Sequence, residues 1–550
     1  VTPRLAGLVL GLAGCGGVDH TRPPGVMVVV QEQQAAWIRN FNPFLPVGGA
    51  RWPANAGVHE PLLVYNPMKG EYTPWLAESY RWAEPARVLE FTLREGLRFS
   101  DGEALTAADV AFTFALLKEN PALDTGGAWK NLSSVEADGE RTVRVTFARP
   151  FAPGLLEVAH VPIVPEHVWS QVEDPVAFAN PDPVGSGPFT EVLRFETQLF
   201  ELGRNPHYWQ GEPGVAVLRF PTFSSNDQAN LALVQGDIDW AGTFVPAVER
   251  TFEARDPEHR DAWFPVVGDT VFLYPNTTTP PMDDPAVRKA LSLAIDREMV
   301  VKVAMYDYTV PAHPTGLSDG YGSWRLGGVP AADDWVRHDP AAAGALLDAA
   351  GWMPGPDGMR RNEEGTPLRV QITTPAGWSD WVRAAQVVRR DLETIGVQAE
   401  VKGYDFSAWF DRVQRGEFSL TLGWSQSGPT PYRFYRALMG SASVKPVGEA
   451  SALNWHRYGS ERADALFAAF EATSDEAEQR ALAQDMQRAF LDEAPAIPLF
   501  PSASWGEANS LWVTGFPSEA DPYARLSPNH GPEHLLVMAR LRSRAPREGS

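Results

Sequence analysis

From Leu89 the chain alternates, with Leu89, Phe91 and Leu93 on one side and Glu90, Thr92 and Arg94 on the other. That is the period-2 pattern of a half-buried strand. Gly96 and Ser100-Asp101-Gly102 supply turn chemistry. Thr106 then offers a hydroxyl N-cap and Asp109 a carboxylate in the first helical turn, and Val110, Phe114 and Leu117 form the apolar face of a helix from Ala107 to Lys118. A second alternating strand runs from Thr142 to Phe147, and the continuous apolar run Val26 to Val30 predicts a buried strand. The clearest later helix begins at Asp284-Pro285, an N-cap followed by proline at the first helical position. Val287, Leu291, Ala294 and Ile295 form its buried stripe, which assigns Arg288, Lys289, Asp296 and Arg297 to an outer, solvated face. Helices follow at Asp380 to Ile395 and Glu478 to Leu491, a strand at Val397 to Val401, and an apolar, proline-marked run from Ala494 to Phe500. Strands and helices interleave throughout, so the fold class is α/β.

A chain of 550 residues divides into two or three domains, and 44% apolar with 21% charged residues is the composition of a globular protein. A net charge of −22 argues against nucleic acid as the partner, since Lys and Arg would have to neutralise phosphates. The 19 tryptophans suit a surface that grips flat or amphipathic ligands. The single cysteine, Cys15, rules out an intramolecular disulfide. It follows Arg4 and the apolar run Leu5 to Leu12, and Leu12-Ala13-Gly14-Cys15 resembles the lipobox of a bacterial lipoprotein signal. Residues 1–15 are therefore expected to be a signal segment with Cys15 as the lipid-attachment residue, and 16–25 a tether.

Four stretches in a fixed order carry a family resemblance: PLL at 61–63, WLAESY at 75–80, FTLREGLRFSDGEALTAADV at 91–110 and DDPAVRKALSLAIDRE at 283–298. Together they resemble the oligopeptide-type (family 5) extracytoplasmic solute-binding proteins of ATP-binding-cassette importers. The resemblance implies a two-lobed, hinged periplasmic-binding-protein fold with an additional small inserted domain. Lobe I would comprise 26–58, 186–269 and 490–540, the inserted domain 59–185, and lobe II 270–489. It further implies a monomer without cofactor or metal, anchored outside the cytoplasm, with a small oligomeric ligand and membrane permease subunits as partners.

No sequence feature supports catalysis. Gly185-Ser186-Gly187 fits neither the nucleophile elbow nor a P-loop, and its glycines are expected to give permissive backbone angles at a hinge. Asp237 and Asp239 share a strand face with no nucleophile near, and Gly531-Pro532 breaks any helix that would align His530 with His534 for zinc. A binding cleft has better support, because indoles flank polar residues at several places. The expected contacts are Trp37, Asn40 and Asn42 past the first strand, Trp240, Trp378, Asp380 and Trp381, then Trp424 with Ser427, and Trp455. In peptide-binding relatives, the segment resembling 423–434 carries an aspartate for the peptide's α-ammonium, and Ser427 takes that place here. A serine cannot supply the charge-assisted bond a buried ammonium needs, which favours an oligosaccharide over a peptide. A secreted hydrolase of the same oligomers is the alternative from another class.

Overall fold

The computed structural model describes residues 23, 25–45 and 53–544. Cys15, the signal segment and all but the end of the tether lie outside the described residues.

Three sheets organise the chain. A seven-stranded sheet is centred on Val26–Val30, which pairs in parallel with Val217–Pro221 on one side and Trp240–Ala241 on the other. Every residue of Val26–Val30 is buried, as a strand covered on both faces requires. Phe189–Glu196 and Leu199–Arg204 extend this sheet on one side, Glu507–Asn509 and Arg260–Ala262 on the other. A five-stranded sheet holds Gln398–Tyr404, Arg369–Pro375, Leu420–Trp424, Val266–Pro275 and Ile497–Ala503 in that order. A four-stranded antiparallel sheet lies within 77–147 and carries the alternating strand. Its Leu89, Phe91 and Leu93 are fully buried, and the helix Ala107–Glu119 that follows opens with a reciprocal capping box between Thr106 and Asp109. We refer to the seven- and five-stranded bodies as lobes I and II.

The boundary between the lobes differs from the expected one. Ile497–Ala503 pairs with Val266–Pro275 inside lobe II, so the chain re-enters lobe I only after Ala503 and not at 490. It leaves lobe I between Ala262 and Val266, earlier than 270. The two crossings run side by side, with the Trp263 amide donating to Gly506 O at 2.9 Å and the Ser504 amide to Pro265 O at 3.0 Å. Gly185 and Gly187 lie elsewhere, at the return from the inserted domain to lobe I. Neither has a positive φ. They are needed because the Gly57–Val58 backbone passes so close that an added Cβ would sit 2.1 Å from Val58 O at 185 and 2.0 Å from Gly57 O at 187.

The charged face assigned to the helix Pro285–Ala294 is also corrected. Arg288 is buried and its guanidinium donates to the carbonyls of Met282, Asp283, Glu493 and Ala494 at 2.7–2.9 Å. Arg297 is likewise buried, donating to Pro498 O, Val336 O and Ser292 O. Arg288 stands three residues before Leu291 and seven before Ile295, so it shares their face. Both guanidiniums reach the 493–498 segment, Arg288 at Glu493 O and Ala494 O and Arg297 at Pro498 O, and so pair buried carbonyls with donors.

Candidate functional site

A cavity of about 390 Å³ opens between the lobes, within the 300–1,000 Å³ typical of small-molecule sites. Lobe II supplies Trp378, Trp381 and Trp424 to one wall, and lobe I supplies Phe244 and Trp505 to the other. Each wall is held from behind by further rings. Trp424 stacks on Phe410 at 5.8 Å and meets Trp455 edge-on at 5.2 Å, while Trp378 meets Trp381 edge-on at 4.8 Å and stacks on Phe406 at 5.5 Å. Trp409, fully buried beneath them, donates its indole N–H to Thr421 Oγ1 at 3.1 Å. Across the cleft Trp505 packs edge-on against Phe244 and Phe264. Such pairs fix ring orientation, each adding about 0.5–1.5 kcal/mol beyond burial. Between the walls stand Gln33, Asn226, Ser425, Gln426, Ser502, Ser527 and Asn529, short donors and acceptors suited to hydroxyls or amides.

The lobes touch at one side of the cavity. Asn226 Nδ2 donates to Asp380 Oδ1 at 3.2 Å, and the Asn226 amide to Gly377 O at 3.0 Å. Arg383 of lobe II lies over the rings of Phe244 and Tyr306, 5.0 and 5.4 Å from their centroids. Burial pushes the Asp380 carboxyl up to about 6 against hydrogen bonds that favour its charged form.

At the other end of the cleft is a carboxylate that the sequence reading did not anticipate. Asp269, on the Val266–Pro275 strand, lies beside Ser427, whose side chain favours the charged carboxylate. Burial raises its carboxyl above the ordinary range, opposed by Arg525, whose Nη1 is 3.9 Å from Asp269 Oδ2. Arg525 is chiefly engaged by Glu533, to which its amide and Nε donate at 2.8 and 2.6 Å.

Of the expected contacts, Trp378, Asp380, Trp381, Trp424 and Ser427 line this one cavity. Trp455 stands behind Trp424, and its loop is built for structure, with Asn454 Nδ2 donating to Gly440 O and His456 Nε2 paired with Leu438 O. Trp37, Asn40, Asn42 and Trp240 lie away from it. Trp37 is buried against Phe200, its indole N–H donating to Phe220 O at 2.9 Å. Asn42 Nδ2 donates to Pro175 O and Phe178 O, while Asn40 Oδ1 accepts from the Asn42 amide. Trp240 is wholly buried and donates to Leu526 O at 2.5 Å. Among the residues that do face the cleft from lobe I, Glu32 and Gln33 come just after the Val26–Val30 strand, and Gly242 and Phe244 just after Trp240–Ala241. Both sit at the carboxyl ends of adjacent parallel strands, where open α/β sheets hold ligands. That rule could have selected them over Trp37. Phe244, Trp505, Asn226 and Asp269 escaped the sequence reading.

The family of bacterial extracellular solute-binding proteins, family 5 (middle region), matches residues 71–446, more than half of the chain. The chain belongs to that family. A family 5 protein is the substrate-binding component of an ATP-binding-cassette importer and not an enzyme. This family 5 protein is 26% identical to the periplasmic oligopeptide-binding protein of an ABC transporter from Thermotoga maritima, solved with mannohexaose bound. The two align with a TM-score of 0.85 over 95% of this chain and 99% of that one. It is 25% identical to the nickel-binding periplasmic protein of Escherichia coli over 85% of its own length and 88% of the relative's. The match to Protein XP55 of Streptomyces lividans is 30% identical but spans 64% of this chain and 63% of that relative. Among the described residues no helix is long and apolar enough to cross a membrane, and no group of three or more His, Cys, Asp or Glu is placed to hold a metal ion.

Proposed function

We propose that this importer component captures a short oligosaccharide between its lobes by hinged closure and releases it unaltered to a membrane permease. The observation that carries the reading is the pair of aromatic walls, Trp378, Trp381 and Trp424 against Phe244 and Trp505, with amides and hydroxyls between them. Indole faces suit the C–H faces of a sugar, and short polar side chains suit its hydroxyls. The mannohexaose held by the Thermotoga maritima relative supports the same ligand class. Closure would pivot on the crossings at 263–265 and 504–506, because only two short segments join the sheets there. Contacts contributed by both lobes exist only in the closed form, so a ligand that makes them shifts the population toward it. Lipid attachment at Cys15 would keep the protein beside its permease.

A second reading keeps the role and changes the ligand to a peptide. It rests on Asp269, which brings a carboxylate to the place where Ser427 alone offers none. Calorimetric titration with cello- and manno-oligosaccharides and with short peptides decides between the two. Tight peptide binding with every sugar silent would overturn the oligosaccharide reading and leave the family untouched. A hydrolase is set aside by family membership, and recovery of intact ligand after long incubation checks that.

A further inference from the structure

Three cavities meet at one side chain. The cleft, a second cavity of about 160 Å³ and a third of about 200 Å³ beneath the inserted domain all have Arg433 in their wall. Arg433 lies in the first turn of the helix Pro431–Met439. That turn contains no acidic residue, and the Thr430 side chain makes no capping hydrogen bond. A cation at this end of a helix works against the dipole and is an unfavourable choice for stability alone. Among the described residues its guanidinium makes no hydrogen bond, ion pair or ring contact, although it is only partly exposed.

The charged groups and the histidine nearest this junction are engaged elsewhere. Arg525 is committed to Glu533, with Asp269 3.9 Å away. Asp269 lies beside Ser427, and the charges of Arg525 and Arg433 favour its ionised form against burial. His160 Nε2 accepts the Tyr65 amide hydrogen at 3.0 Å, and burial, reinforced by Arg433, keeps the ring neutral down to about 3. Glu32, which lines the cleft, also has an interaction of its own. Arg433, whose charge reaches Asp269, is left without a hydrogen bond or ion pair among the described residues at the junction of three cavities.

We infer that Arg433 is an anion-recognition residue, and that the ligand enters this junction with a carboxylate at its leading end. A guanidinium binds a carboxylate through two parallel N–H···O bonds. The inference rests on the proposed oligosaccharide reading, which it narrows to uronate-bearing oligomers. A peptide's terminal carboxylate offers the same chemistry.

Isothermal titration of the full chain with paired probes separates these sources. The sugar pairs are cellotriose and mannotriose, each against its counterpart oxidised to a uronic acid at the non-reducing end. The peptide pair is trialanine against its C-terminal amide. In at least one pair the acid should bind at least tenfold more tightly than its neutral partner, about 1.4 kcal/mol. Arg433→Gln should abolish that gap, and Arg433→Lys should restore part of it through charge without the fork. Thermal melts of both variants confirm that they fold. Equal affinity for the acid and neutral members of every pair, or a gap that survives in Arg433→Gln, overturns the inference while the oligosaccharide reading stands. A preference confined to the peptide pair keeps the role of Arg433 and overturns the oligosaccharide reading. Failure of every acidic probe to bind overturns the inference.

Discussion

Asp380→Asn should change the pH dependence of stability in a direction set by the burial of Asp380. The side chain is 3% exposed, and its carboxyl is pushed from 3.8 to about 6, burial outweighing the hydrogen bonds from its helix turn and from Asn226. In the unfolded chain the same carboxyl ionises near its ordinary value. Below pH 3.8 both states are protonated and the group is neutral to folding. As pH rises toward 6 the unfolded state loses its proton first and gains stability, so the folded state is weakened until it too ionises. The separation between 3.8 and about 6 amounts to about 3 kcal/mol, at about 1.4 kcal/mol per pH unit. Asparagine keeps the Oδ1 acceptor for Asn226 and cannot ionise, so the variant should lack this loss. Urea unfolding of both proteins from pH 3.5 to 7.5 measures it. Other buried acids with raised values, Glu60 at about 7 among them, act equally on both proteins and cancel in the difference. Relative to the variant, the parent should lose about 3 kcal/mol across this range. A flat difference, or one of opposite sign, would refute the reasoning.

Trp378→Ala should weaken ligand affinity at least tenfold by removing a wall ring. In the same titration Trp37→Phe should leave affinity unchanged and cost about 1 kcal/mol of stability through its lost bond to Phe220 O. Asn226→Ala removes the side-chain bond to Asp380 across the cleft and should speed ligand release about five- to tenfold, read by stopped-flow fluorescence. Arg288→Met strands buried carbonyls of Met282, Asp283, Glu493 and Ala494 and should cost at least about 3 kcal/mol by urea unfolding. A cost under about 1 kcal/mol would return Arg288 to the solvated face.

The sequence by itself determined the local elements and the family. Leu89, Phe91 and Leu93 alternate because a strand has a period of two residues, and Thr106 with Asp109 opens a helix because its first amides need acceptors. Those rules operate within a few residues and leave a mark in the order of side chains. Trp378, Asp380, Trp381 and Trp424, expected as contacts, line the cleft cavity, each at or near the end of a strand or the start of a helix. What only the tertiary structure decided is which tryptophan faces the cleft and which supports it. Trp37, Trp240 and Trp455 also stand within a few residues of polar side chains in sequence, but their rings are covered by Phe200, by Phe516 and by Trp424 itself. The boundary between lobes was hidden for the same reason, as Ile497–Ala503 is apolar enough to be buried in either sheet. Arg288, Arg297 and Asp269 show the limit most clearly. A charged side chain announces a wish for partners, and whether water, a distant carbonyl or a ligand supplies them depends on segments that approach it only when the chain has closed on itself.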